Sequence, residues 1–303
     1  MRKVHFIQAD VFSDSPFGGN PVVVVPGAHG LTPEEMQALA RGMNYAETAF
    51  VVEPTLPGAA FAVRCFTPTT EVSYSGHQLL GAAFVLADAG PAAVGPGTTQ
   101  LDAEVGSELV PVTLTRDATG AVTRVATAEQ AVRFGPMVDD YGSIAGALSV
   151  DPMEILHTGL PIEVVSTGLA CLIIPVRALK TMRMVMPVRP VLDKVLQDAG
   201  AVCALVFANE TLSPYNDVHV RVFAPPLGIH EDPATGSANG ALAAYLWHHG
   251  IVKARPRAHL RSEQGSEMGR PSVIEIEIRA DTQPLTILVG GRVARSAEGS
   301  VFF

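Results

Sequence analysis

Hydrophobic and polar positions along the chain predict many short strands and few helices. Short apolar or alternating stretches rich in β-branched and aromatic residues are typical of strands. Such stretches are residues 6–11, 22–25, 48–52 and 60–66 in the first half, and 171–176, 202–207, 218–223, 273–278 and 285–289 in the second. Three helices are predicted. One begins at Thr32 with Pro33 next and Glu35 completing a capping box, and the others cover about 77–88 and 237–249.

Two of the predicted helices follow the same lead-in. The pattern R-x-F-x-P occurs at 64–68 and again at 221–225, and each copy is followed by a glycine, Gly76 or Gly236, that begins a helix of small residues. The second loop is about three residues longer than the first. A single echo of five residues arises by chance, but the repeated order of strand, proline, glycine and helix favours a duplication.

Chain length agrees with a duplicated unit. A chain of 303 residues is about twice the length of one domain. We predict an α+β fold of two similar units, each a sheet curled around a buried helix, with a boundary near the turn at 117–120. If the two units face each other, the free N–H groups at Gly76 and Gly236 form anion sites around a small carboxylate.

Glu47 is the first candidate for chemistry. It stands at the head of the apolar run 48–52. One interpretation is a surface carboxylate at a strand end. The other is a carboxyl in an apolar wall, where desolvation would raise its pKa and make it a proton shuttle near neutral pH.

Asp232 and His77 carry a similar ambiguity. Asp232-Pro233 is a common turn opener, and Thr235 or Ser237 is a common helix cap, yet the polar density at this helix entrance is high for so apolar a chain. His77 is either structural or a neutral donor and acceptor at the positive end of its helix.

Composition excludes several classes of protein. A net charge of −9 disfavours nucleic-acid or anionic-membrane partners, and no apolar run approaches the ~18 residues of a membrane span. Nucleotide-binding and serine-hydrolase motifs are missing. Three cysteines in apolar strands and nine histidines make no zinc spacing, so we expect no metal, buried thiols and a cytoplasmic protein.

Several segments together resemble the PhzF family, the phenazine-biosynthesis isomerases and their relatives with the diaminopimelate epimerase fold. The matching segments are 17–21 (FGGNP), 47–51 (ETAFV), 66–68 with 76–77, 231–238 (EDPATGSA), and 264–265 with 267–271. They run in family order over nearly the whole chain. The resemblance implies two pseudo-symmetric domains, each a β-barrel-like sheet around a central helix, at 1–118 plus 290–303 and at 119–289.

The resemblance also implies residue roles. The catalytic set would be Glu47 as the general acid/base, with His77, Asp232 and Ser237 polarising the substrate. The substrate-binding set would be Asn20, Gly76, Thr235 and Gly236.

The resemblance bears on the reaction as well. Racemases of this fold use two cysteines directly before the helix-start glycines, whereas this chain has Ser75 and Thr235 there. We therefore expect a cofactor-independent isomerase of a small amino-carboxylate, by resemblance trans-2,3-dihydro-3-hydroxyanthranilate, acting as a homodimer. A family member that binds small carboxylates or a protein without turnover, or an isomerase of another amino acid, stays open. Gln78 stands where relatives usually have proline, beside the predicted pocket.

Overall fold

The protein has an α+β fold. The computed structural model describes residues 2–72, 76–89, 96–253 and 256–303. The helices are α1 Pro33–Met43, α2 His77–Ala89, α3 Tyr141–Leu148, α4 Pro152–Leu156, α5 Leu179–Met184, α6 Arg189–Ala199 and α7 Gly236–His248.

Strands make up most of the remaining regular structure. The first nine are β1 Lys3–Val11, β2 Asn20–Val25, β3 Thr48–Val52, β4 Phe61–Phe66, β5 Glu71–Val72, β6 Gly97–Val105, β7 Glu108–Arg116, β8 Val122–Ala128 and β9 Arg133–Val138. The others are β10 Ile162–Ser166, β11 Ala170–Pro175, β12 Cys203–Ala208, β13 Val218–Ala224, β14 Ile229–Asp232, β15 Arg257–Gln264, β16 Ser272–Arg279, β17 Thr286–Gly291 and β18 Val293–Phe302.

The chain divides into two compact units. The first contains 1–128 and 290–303, and the second contains 129–289. The predicted boundary after residue 118 therefore lies ten residues too early, because the turn at 117–120 joins β7 to β8 in an antiparallel pair and β8 stays with the first unit. The carboxy-terminal strand β18 pairs with β1, which confirms the expectation that this segment packs on the first unit.

Strand pairing repeats in the same order in both units. In the first unit, β1–β2 is antiparallel, β2–β3 parallel, β3–β4 and β4–β5 antiparallel, β4–β6 parallel, and β6–β7 antiparallel. In the second, β10–β11 is antiparallel, β11–β12 parallel, β12–β13 and β13–β14 antiparallel, β13–β15 parallel, and β15–β16 antiparallel. Six matching pairings in sequence are strong support for the duplicated unit.

One buried helix occupies the centre of each unit. Helix α2 packs on β1, β2, β3, β4, β7, β8 and β18, and α7 packs on β10, β11 and β16. Residues 78–85 of α2 and 238–246 of α7 are all buried, as expected for helices without a solvent-facing side. Gly81 allows the close approach of α2, since a Cβ there would lie 2.5 Å from a methyl group of Val22.

The arginine of the R-x-F-x-P pattern makes the same two contacts in both units. Arg64 makes a bidentate ion pair with Glu71, seven residues later, and Arg221 makes the same pair with Glu231, ten residues later. Each guanidinium also lies over the phenylalanine two positions on, at 5.4 Å and 5.0 Å from the ring centroid. The first ion pair therefore holds β5 to β4, and the second holds β14 to β13, just before the central helix of each unit.

Local sequence signals explain α1 and the ends of the other predicted helices. Thr32 accepts a hydrogen bond from the Glu35 N–H and the Glu35 carboxylate accepts from the Thr32 N–H, which confirms the capping box. Helix α2 begins at the predicted His77, and α7 begins one residue before the predicted Ser237. Three helices were predicted, but the described part of the chain has four more, α3, α4, α5 and α6. These helices contribute buried residues to the hydrophobic core of the second unit. No helix within the described ranges is both long and apolar enough to span a bilayer.

The two arginine–glutamate pairs differ in burial, and this difference predicts their stability contributions. Arg221 and Glu231 side chains are 8% and 12% exposed, and Arg221 also donates to the carbonyls of Met182 and Val185. Arg221→Ala should destabilise the protein by about 3–5 kcal/mol, because it removes the hydrogen-bond donor of the buried Glu231 carboxylate and of two backbone carbonyls. Denaturant unfolding followed by circular dichroism measures this.

Arg64→Ala is the matched control. Its pair is 32% and 43% exposed, so the same substitution should cost about 1 kcal/mol or less. Equal losses for the two variants would contradict the assignment of Arg221 as a buried anchor.

Candidate active site

The first unit brings Glu47 and His77 together. Glu47 immediately precedes β3, and His77 is the first residue of α2. Glu47 Oε2 lies 3.4 Å from His77 Nε2, and the two side chains are 23% and 13% exposed. A carboxylate and an imidazole 30 residues apart in the chain thus meet at the start of the central helix.

Asn20 lies at the same end of the sheet as Glu47. It opens β2, and β2 runs parallel to β3 with Val23 opposite Thr48. The turn before it is tight: Gly19 has φ of +59°, and a Cβ there would lie 2.2 Å from the Val11 carbonyl oxygen. Since a side chain at position 19 would collide with backbone, this glycine fixes where Asn20 enters the sheet. Asn20 itself is buried.

Burial controls the charge of His77. It lowers the pKa of this imidazole to about 4, so His77 is neutral at neutral pH. Its Nε2 is shielded from solvent and has no hydrogen-bond partner among the described residues, since its contact with Glu47 lacks hydrogen-bond geometry. A neutral imidazole beside a carboxylate can accept or donate a proton without a change of position.

The second unit collects its predicted residues at the start of α7. Asp232 ends β14, Thr235 is the N-cap residue, and Gly236 and Ser237 are the first two residues of the helix. Thr235 does not cap with its side chain. Its hydroxyl donates instead to Asp232 Oδ2 at 2.5 Å, so the carboxylate is held in front of the helix start.

Gln264 braces this loop from β15. Its Oε1 accepts from the Thr235 N–H and from Asn239 Nδ2, at 3.2 and 2.8 Å, while its Nε2 donates to the Asp232 carbonyl at 2.7 Å. Gln264 and Asn239 are fully buried. Residues 264–265 belong to a segment used above to recognise the family, but no role was predicted for either side chain.

A buried histidine anchors the segment after Gln264. His219 Nδ1 and Nε2 lie 2.8 Å from Glu263 and 3.0 Å from Glu267. Although burial opposes it, hydrogen bonding to these two carboxylates raises the pKa of His219 to about 9. Between them Gly265 has φ of +81°, and a Cβ there would lie 2.5 Å from the Pro233 carbonyl oxygen. This turn therefore packs directly on the Asp232 loop.

Other predicted features have simpler outcomes. Gly76 directly precedes α2, and its carbonyl accepts from the Leu80 N–H at 3.4 Å. Ser75, which takes the place of a catalytic cysteine, lies outside the described residues. Cys65, Cys171 and Cys203 are buried free thiols, as expected.

One group of side chains has the ligand types of a metal site. Ligand atoms of Glu163, His248 and His249 lie within 4.8 Å of one another. None of the predicted site residues belongs to this group, and it lies at the carboxy-terminal end of α7. His249 Nε2 lies 2.7 Å from Glu163 Oε2, so a hydrogen bond accounts for the contact that brings two of the three together.

Comparisons with known proteins agree on one protein family. A model of the phenazine biosynthesis-like protein family matches residues 9–299. An uncharacterized isomerase of Clostridium acetobutylicum is 32% identical over 295 residues, covering 96% of this chain and 95% of that protein. A trans-2,3-dihydro-3-hydroxyanthranilate isomerase of Pseudomonas chlororaphis is 29% identical over 314 residues, covering 98% and 97%.

Solved structures agree on the fold. A PhzF-family phenazine biosynthesis protein of Bacillus anthracis superposes with a TM-score of 0.90 at 26% identity, covering 100% of both chains. A hydroxyproline epimerase of Agrobacterium vitis superposes with a TM-score of 0.64 at 12% identity, covering 99% of this chain and 91% of that one. At that identity the second match shows a shared fold and nothing about chemistry.

The neutral state of His77 predicts a pH dependence of stability. The unfolded imidazole has a pKa of 6.5 and the folded one about 4, so between these values the unfolded chain binds more protons. Stability should therefore rise with pH across this window, by at most about 1.4 kcal/mol per pH unit from this group. His77→Asn should flatten that part of the curve of unfolding free energy against pH.

The imidazole can also be followed directly. Histidine NMR, with the His77 signal assigned by its loss in His77→Asn, should show titration near pH 4. Titration of that signal at or above pH 6 would contradict the assignment of a neutral, desolvated imidazole.

Proposed function

The chain belongs to the PhzF family of phenazine biosynthesis-like proteins and is an isomerase, and on this premise we propose that it moves a proton within a small amino-carboxylate with Glu47 as the general acid/base. The observation that carries the proposal is the contact of the Glu47 carboxylate with the neutral imidazole of His77, at 3.4 Å. By likeness to the Pseudomonas relative, we propose trans-2,3-dihydro-3-hydroxyanthranilate as the substrate.

The proposed reaction is balanced within one molecule. The Glu47 carboxylate takes a proton from a substrate carbon, and the electron pair of the broken C–H bond moves into the adjacent double-bond system. Glu47 then returns the same proton to another carbon of that system. Substrate and product contain the same atoms and electrons, so the reaction needs no oxidant, reductant or cofactor.

His77 supports this step by being neutral. An imidazolium beside Glu47 would hold the carboxylate as a tight ion pair and weaken it as a base. A neutral imidazole leaves the carboxylate basic and can donate or accept a hydrogen bond as negative charge develops on the substrate.

The α7 start supplies groups suited to the substrate's charges. N–H groups in the first turn of a helix have no partner within the helix and lie at its positive end, so Gly236 and Ser237 can bind a carboxylate. The Asp232 carboxylate, oriented by Thr235, can bind an ammonium group. We assign Ser237 to polarising the substrate, and Asn20, Gly76, Thr235 and Gly236 to binding it.

A two-thiol racemase mechanism does not suit this chain. The three cysteines are buried in β4, β11 and β12. Thr235, at the position of one racemase cysteine, uses its hydroxyl on Asp232. A single carboxylate that returns its proton within the same molecule remains the mechanism supported by these side chains.

Glu47→Gln tests the proposal. It keeps the size of the side chain but removes the base, so turnover should fall about 10²–10⁴-fold. The assay incubates the dihydro compound with protein in D₂O and follows its ultraviolet spectrum and its deuterium content. Glu53→Gln is the matched control, because Glu53 lies just after β3 and its side chain is 81% exposed.

Three results separate the possibilities. Loss of turnover in Glu47→Gln alone supports the proposal. Near-background rates for wild type and both variants would overturn this substrate. If wild type bound a panel of small carboxylates saturably but isomerised none of them, the chain would be a binding member of the family.

We also propose that the chain forms a homodimer in a reducing, cytoplasmic environment. Family membership supports the dimer, and three buried free thiols are consistent with the environment. Sedimentation velocity at micromolar concentration should give the mass of two chains. A single species with the mass of one chain across the concentration range would contradict the dimer.

A further inference from the structure

Glu129 is a titratable residue that the proposed mechanism does not use. It lies in the second unit beside the first turns of α7. Its Oε2 is 3.4 Å from Thr167 Oγ1, and the Thr167 hydroxyl is 2.9 Å from the Ser237 carbonyl oxygen. Contacts therefore run from Glu129 through Thr167 to Ser237, the residue proposed above to polarise the substrate.

Gly240 makes room for this chain of contacts. A Cβ at position 240 would lie 2.9 Å from Glu129 Cγ and 3.2 Å from Thr167 Oγ1. Real side chains do not approach so closely, so a residue other than glycine would displace the carboxyl from the helix. Glycine in a helix interior costs roughly 0.5–1 kcal/mol relative to alanine, and here it admits Glu129 in return.

Counting protons settles the direction of the hydrogen bonds. A threonine hydroxyl has one proton, and a backbone carbonyl can only accept. The Thr167 proton therefore lies on the shorter contact, toward the Ser237 carbonyl. A hydrogen bond between Glu129 and Thr167 then requires the proton of a neutral Glu129 carboxyl.

The electrostatic surroundings of Glu129 agree with this count. Burial raises its pKa to about 8, so the neutral acid, the form that can donate to Thr167, predominates at neutral pH. The neighbours that α7 and the turn after β10 present to it are Gly240 and Thr167, which carry no charge.

We propose that Glu129 is a positioning residue held as a neutral acid, which donates to Thr167 and through it to the Ser237 carbonyl, and so fixes the first turn of α7 for an anionic substrate. The consequence for substrate rests on the proposed function, whereas the hydrogen-bonded chain does not. Neutrality matters here, because an ionised carboxylate beside this turn would compete with a substrate carboxylate for the positive end of the helix.

The direct test is infrared difference spectroscopy of wild type against Glu129→Gln. At pH 7 the difference should contain the C=O stretch of a protonated carboxylic acid, and this band should disappear as the pH is raised through about 8. Thr167→Val should keep the band but shift it, because the carboxyl loses its acceptor. Absence of the band in wild type at pH 7 would overturn the proposal without reference to any activity.

Binding of anthranilate provides the functional readout. Calorimetric affinity for wild type should fall about fivefold between pH 7 and 9, as ionised Glu129 weakens the anion site. Glu129→Gln remains a neutral hydrogen-bond donor, so it should keep the affinity at pH 7 and lose this pH dependence. Glu163→Gln, a buried carboxylate near the other end of α7, is the matched control and should behave like wild type.

The outcomes distinguish this inference from the proposed function. If the band and the pH dependence appear but the dihydro compound is not isomerised, the proposed reaction fails and the role of Glu129 stands. If Glu47-dependent isomerisation is found but Glu129→Gln retains the wild-type pH dependence, the proposed reaction stands and the role of Glu129 is wrong.

Discussion

A helix enclosed by a curled sheet leaves its first backbone N–H groups at one end of the unit, and the polar chemistry of this protein collects there. Residues 78–85 of α2 and 238–246 of α7 are buried, so solvent does not reach the sides of these helices along those residues. The first N–H groups of each helix have no partner within the helix, and polar side chains gather around them. Around the start of α2 stand Glu47 and His77, and around the start of α7 stand Asp232 and Thr235. In each unit, the polar cluster follows from the packing of the central helix.

The two units share a framework but place different side chains on it. The same order of strand pairing and the same arginine–glutamate pair lead into both helices. At α2 the imidazole is desolvated and neutral beside a carboxylate, which suits proton transfer. At α7 a hydroxyl and a buried amide, those of Thr235 and Gln264, orient a carboxylate and a helix start, which suits binding of charged groups. Duplication followed by this divergence accounts for the single acid/base of the proposed mechanism.

Sequence reasoning succeeded where the signal is local. Strand β3, the start of α2 and the capping box of α1 depend on neighbouring residues and were predicted to within a residue. Helix α5 was missed because it has six residues and its N-cap, Ala178, offers no side-chain hydrogen bond. The turn at Asp117 was recognised, but a hairpin turn and a domain boundary have the same local chemistry. Gln264 acts on residues some 30 positions away, which no local pattern reveals.

The central claim is that Glu47 acts on a substrate carbon with a neutral His77 beside it. A crystal structure of the protein with bound anthranilate, a stable amino-carboxylate, tests this most directly. The account predicts a ring carbon about 3–3.5 Å from a carboxylate oxygen of Glu47, the distance from which a proton can be transferred. Bound anthranilate with Glu47 in contact only with protein or water would contradict it.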